Sequence, residues 1–121
     1  MKFSILTAYF FLALIGWLNS AHAGDSQGQC NVGPLNKIYG NVPWLVYSCT
    51  TDKNVVIVSA PESPALPFVF CFCMKDGAYQ LFGEGTGNKD VTDAAASELS
   101  KFNEADIAQL IQQTIQVKAQ K

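Results

Sequence analysis

Residues 67–83 read Pro67-Phe68-Val69-Phe70-Cys71-Phe72-Cys73-Met74-Lys75-Asp76-Gly77-Ala78-Tyr79-Gln80-Leu81-Phe82-Gly83. Two runs of aromatic and β-branched residues flank Lys75-Asp76-Gly77, a turn signal of the kind that closes antiparallel hairpins. The stretch therefore predicts strands over Pro67 to Met74 and Ala78 to Gly83. Working outward, the same composition recurs upstream in Trp44 to Cys49 and Asn54 to Ala60, separated by the turn Thr50-Thr51-Asp52-Lys53. Pro61, Pro64 and Pro67 punctuate the connection into the third strand, where they stiffen the chain and withhold backbone donors. Short turns on either side of this longer loop predict antiparallel neighbours, hence a four-stranded meander.

On either side of the strands the periodicity changes. In Gly33-Pro34-Leu35-Asn36-Lys37-Ile38-Tyr39-Gly40, proline suits a first helical position and glycine a left-handed stop. Leu35, Ile38 and Tyr39 share one side at helical spacing, so a short helix or helical turn is expected there. After Gly83-Glu84-Gly85-Thr86-Gly87 a first helix is predicted over Asp93 to Leu99, capped by Thr92 or Asp90. A second is better specified. Asn103 caps it, Asp106 completes a box-like arrangement, and Phe102 and Ile107 are spaced for a hydrophobic staple. Ile107, Leu110, Ile111, Thr114 and Ile115 then form one stripe, with Gln109, Gln112, Gln113 and Gln116 opposite. The expected architecture is α+β: a short helix, a four-stranded antiparallel sheet, then two helices packing on one face.

The third strand is apolar on both faces, Phe68, Phe70 and Phe72 on one and Val69, Cys71 and Cys73 on the other. If helices cover one face, something must cover the second: the amino-terminal segment or the Pro loop, a partner protein, a second copy in a homodimer, or an apolar ligand. Trp44, Phe68, Phe70 and Phe72 are the candidate interaction surface on this reading. Glu84 and Thr86, on a loop between rigid elements, join them as candidate contacts.

The front of the chain has the three parts of a secretory signal: Lys2 and the amino terminus, the apolar run Ala8 to Leu18, and a small-residue site ending at Ala23. Eleven apolar residues fall short of the ~20 that a bilayer-spanning helix requires. Residues 1–23 are therefore read as a cleaved signal peptide and 24–121 as a single small domain, working in the periplasm or outside the cell with no membrane span after cleavage. Removing 23 of 121 residues leaves 98, with seven Lys against ten Asp plus Glu and neither histidine nor arginine, because the one His is His22. Those absences exclude Ser-His-Asp and Cys-His hydrolysis and zinc hydrolysis. No Ser-x-x-Lys spacing offers the alternative base. Asp52, Asp76 and Glu84 could furnish a carboxylate pair, but so small a domain has little room for a sugar cleft as well. A weakly acidic surface without arginine does not suit nucleic acid. No catalytic residue, cofactor or metal set is expected.

Four cysteines in a short exported chain point to disulfides. Cys30 to Cys49 is the expected bond, tethering the amino-terminal segment to the end of the first predicted strand. Cys71 and Cys73 lie two apart in a strand, which places their Cβ atoms ~6.6 Å apart on one face. A disulfide needs roughly 3.5–4.5 Å, so a bridge between them is disfavoured unless the strand is broken there, and they read as buried small hydrophobes, although either could instead pair with Cys30 or Cys49. The pair is also a candidate thiol site, for redox chemistry or Cu(I), although Met74 points to the opposite face and no histidine completes a ligand set. Gly83-x-Gly85-x-Gly87 resembles a phosphate loop only loosely, since it lacks Gly-Lys-Ser/Thr and carries Glu84.

Tyr47-Ser48-Cys49, Asp52 and the strand Val55 to Val58 resemble the opening of the small periplasmic inhibitors of C-type lysozymes. The inhibitory loop of that family has no counterpart here, so no functional residue is carried over. Taken together, the expectation is a small exported binding protein without enzymatic activity, an inhibitor or immunity-type partner of another exported protein. The alternatives are a carrier of an apolar molecule or lipid, and a thiol or copper protein.

Overall fold

A computed structural model describes residues 30–120. The signal peptide read over residues 1–23 lies outside the described residues. Five strands and two helices follow in the order β1 (Val32–Tyr39), β2 (Val42–Ser48), β3 (Val55–Ser59), β4 (Phe68–Lys75), β5 (Ala78–Gly85), α1 (Lys89–Leu99) and α2 (Glu104–Ala119). The strands form one antiparallel sheet in sequence order, a five-stranded meander.

The segment expected to be a short helix is instead strand β1. Leu35 and Tyr39 do share a side, but at the period of two that a strand uses, and Ile38 points the other way, 65% exposed. Gly33 sits at a register irregularity between Val32 and Leu35, beyond which β1 pairs with β2 residue for residue. Gly40 is left-handed, φ 62°, but so is Asn41, φ 65°. Two successive positive φ angles make the two-residue hairpin turn whose twist matches its strands. Glycine therefore closes a hairpin here rather than stopping a helix. Its hydrogen is also needed sterically, because a Cβ at Gly40 would stand 2.7 Å from the Ala95 nitrogen of α1.

The cross-strand partners fix which side chains share a face. On the inner face Trp44 stands opposite Ser59, Val46 opposite Ile57, and Ser48 opposite Val55. Val55 and Ile57 in turn face Phe72 and Phe70. All eight are buried, with Ala95 and Leu99 of α1 and Ile107 and Leu110 of α2 completing the core. Trp44 tilts against Phe70 at 5.2 Å between centroids, and Phe72 stacks on Phe102 at 5.6 Å. The indole N–H donates to the Tyr39 carbonyl at 2.9 Å. Across the sheet–helix interface, Ser48 and Thr114 share a buried hydroxyl hydrogen bond of 2.7 Å, while Thr114 also donates to the Ile111 carbonyl.

Helix α1 begins earlier than expected. Its cap is Asn88, whose Oδ1 accepts from the Asp90 and Val91 amides, not Thr92 or Asp90. Thr92 is turned inward, buried and donating to the Lys89 carbonyl. Helix α2 has Asn103 and Asp106 in a reciprocal capping box. Of its apolar stripe Ile107, Leu110 and Thr114 are buried, whereas Ile115 is exposed at the rim. The Pro loop folds back over the end of the sheet. There Ala65 is buried, the Phe68 amide donates to Ser59 Oγ, and the Thr86 and Gly87 amides both donate to the Pro67 carbonyl.

Candidate functional site

Both helices lie against the Trp44 and Ile57 side of the sheet, and no described element covers the other side. Two rows of side chains run across it. Asn36 stands opposite Leu45, Leu45 opposite Val58, Val58 opposite Val69, and Val69 opposite Glu84. Beside that row, Tyr47 faces Val56, Val56 faces Cys71, and Cys71 faces Phe82. Leu45, Tyr47, Val56 and Val58 are partly buried by one another, while Val69 is 36% and Phe82 47% exposed. A continuous apolar surface thus spans four strands, bounded by polar Asn36 at one end and Glu84 at the other. An exposed apolar surface of this kind is a candidate contact surface.

The residues proposed from sequence divide between the two faces. Trp44, Phe70 and Phe72 are core residues at 0–3% exposure, with Phe68 packed against them. They belong to the helix-covered face, so they are no interaction surface. Alternation assigned the Phe face and the Val69 face correctly as two sets. It could not tell which set the helices would choose, and the larger aromatic side chains went inside because they remove more apolar area from water. Glu84 is exposed at the end of the first row. It lines a shallow depression of about 230 Å³ with Val69, Cys71 and Phe82, and a neighbouring one with Val58, Leu66 and Pro67. Thr86 is exposed beyond the end of β5, its amide held by the Pro67 carbonyl. Leu45, Tyr47, Val56, Val58 and Phe82 were missed. The available signal was that the first two predicted strands are also apolar at successive positions, the mark of strands with two apolar faces.

Two disulfides are present, and no described cysteine is free. Cys30–Cys49 joins the residues flanking the β1–β2 hairpin. Cys71–Cys73 is also bonded, which corrects the expectation that strand geometry keeps these residues apart. The strand contracts locally. Their Cα atoms are 5.4 Å apart, against ~6.6 Å for two steps of an extended strand. Contraction does not break the ladder, since Cys71, Phe72 and Cys73 keep their partners Phe82, Leu81 and Gln80. Both cysteines are part-exposed on the open face, not buried hydrophobes, and with both sulfurs bonded they offer no thiolate to a metal. In the chain-entropy model a three-residue loop contributes about 1.6 kcal/mol and a twenty-residue loop about 3.3 kcal/mol. Cys71–Cys73 is therefore the weaker staple.

The glycine motif after β5 serves packing. A Cβ at Gly85 would meet the Pro67 oxygen at 2.3 Å, and one at Gly87 would meet the Ala65 oxygen at 1.8 Å. These glycines let the Pro loop lie directly on the backbone, with carbonyl oxygens where an anion would have to sit. A separate cavity of about 500 Å³ lies between β1 and the helices, lined by Lys37, Tyr39, Glu98, Lys101 and Asp106 among others. Its charged lining does not suit an apolar ligand.

No family model matches the chain, and no curated protein or solved structure is significantly similar to it. The local resemblance over residues 47–58 therefore does not extend to a family assignment, and the open face carries the functional argument.

Proposed function

We propose that this protein is a small exported, non-enzymatic binding protein that docks another exported protein on the open face of its sheet, in the manner of an inhibitor or immunity-type partner. The apolar rows from Leu45 to Val69 and from Tyr47 to Phe82 carry this reading. Two disulfides, and the fact that no described helix is long and apolar enough to cross a membrane, are compatible with export. The carrier alternative loses its intended lining, because Trp44, Phe70 and Phe72 pack into the core.

The test uses charge at the two most exposed apolar positions of these rows. Tagged protein and a Val69→Lys/Phe82→Lys variant are used to capture partners from periplasmic extract, with thermal unfolding as the control for folding. Capture of a defined partner by the native chain and its loss in the variant, at an unchanged midpoint, is the expected result. Equal capture by both, or none by either, removes the proposal.

A further inference from the structure

We propose that Cys71–Cys73 is an exchangeable redox pair that takes two electrons from a dithiol polypeptide docked on the open face. The choice of polypeptide rests on the docking reading above, whereas the exchange itself rests on the disulfide. Both cysteines are part-exposed on the uncovered side, and Cys71 lines the depression shared with Val69, Phe82 and Glu84. An attacking thiolate can reach a sulfur there without unfolding the domain. In the other disulfide Cys30 is part-exposed too, but Cys49 is buried at 8% exposure and the bond closes a far longer loop.

The fold also tolerates opening of the bond. Phe70 and Phe72, immediately before and after Cys71, are anchored in the core on the opposite face. β4 is paired with β3 on one side and β5 on the other. Loss of a three-residue loop closure releases little chain entropy, so the domain persists with both thiols free. A structural staple has the reverse attributes: a long loop, a buried position and elements that come apart without it. The apolar rows on either side then supply binding for the chain that carries the reacting thiols.

The chemistry is balanced between the two partners. A partner thiolate attacks one sulfur of the pair, the Cys71–Cys73 bond breaks, and the other cysteine leaves as a thiolate that takes up a proton. The partner's second thiol, deprotonated, attacks its own sulfur in the mixed disulfide and releases the first cysteine. The partner's two thiols become a disulfide, and Cys71 and Cys73 become two thiols. Both protons are conserved, and no external oxidant enters.

The oxidised full chain is mixed anaerobically with an equimolar synthetic peptide bearing two cysteines among Val, Leu and Phe, then acid-quenched, alkylated and mass-mapped. The expected result is one peptide disulfide per chain, with label on Cys71 and Cys73 and none on Cys30 or Cys49. The rate should be on the order of tenfold above that for a peptide with Ser and Gln in place of the apolar residues. Equal rates for the two peptides would overturn the docked polypeptide as the electron donor. No label on Cys71 and Cys73, with partner capture still lost in Val69→Lys/Phe82→Lys, overturns the redox role and leaves docking standing. A Cys71→Ser/Cys73→Ser variant should fold and oxidise no peptide. If it fails to fold, the bond is a staple and the proposal falls.

Discussion

Tyr39 carries its hydroxyl into the core, 4% exposed as a residue, and that oxygen finds no hydrogen-bond partner among the described residues. Burial, with the Glu98 carboxylate adding to it, pushes the phenol up from 10.0 to about 12. The Glu98 carboxylate is itself committed to the Gly40 amide at 2.9 Å. A buried donor without a partner costs free energy, so Tyr39→Phe should be neutral or stabilising by up to about 1 kcal/mol in urea unfolding. The sign of the pH effect follows from the raised value. The unfolded phenol ionises near 10 while the folded one holds its proton to about 12, so stability is intact below the first value and falls between the two. The Phe variant should lack that share of the alkaline loss. The Ser48 and Thr114 pair behaves in the opposite sense. Thr114→Val leaves the Ser48 hydroxyl buried and alone and should cost about 1–2 kcal/mol, part of which Ser48→Ala/Thr114→Val recovers. None of these partnerships is legible in sequence, because residues 48 and 114 meet only when α2 docks.

At the scale of elements, local chemistry was informative where it was self-contained. The α2 capping box needs only residues 103–106, and Asn103→Ala should lower stability by about 1 kcal/mol, visible as a drop in the thermal midpoint. The hairpin after β4 was equally plain, since Lys75-Asp76-Gly77 supplies left-handed residues where the turn requires them. The segment before β2 was misread for a physical reason. Leu35 and Tyr39 are four apart, a spacing that fits one face of a helix and one face of a strand alike, and left-handed glycine ends a helix as readily as it closes a hairpin. Pairing with β2 decides the matter. Gly40→Ala puts a Cβ at a positive φ, a penalty that a left-handed helix stop would share, and in addition 2.7 Å from the Ala95 nitrogen, a clash that belongs to this hairpin under α1. A loss of about 1–3 kcal/mol is expected in chemical denaturation.

For the whole molecule, helices close one side of the sheet and no described element covers the other, so the uncovered side is where the proposed docking is tested. Val69→Lys/Phe82→Lys should change the midpoint of thermal unfolding little, since Val69 stands opposite Glu84 and the new ammonium gains an opposite charge across the strands, while abolishing partner capture. The same pair of changes distinguishes a surface role from a core role, because Phe70→Ala on the buried side should cost about 3–5 kcal/mol and destabilise the domain itself. The α+β class, the meander of β2 to β5, the two helices at the end and the division of β4 into two apolar faces are all legible along the chain, because strand alternation and helix caps are local physics. Contacts made in the folded chain settle that β1 is a strand, that the Phe side faces the helices, and that the neighbouring cysteines are bonded. Each of those depends on which surfaces meet: the strand that β1 pairs with, the face that α2 covers, and the contraction that draws Cys71 to Cys73.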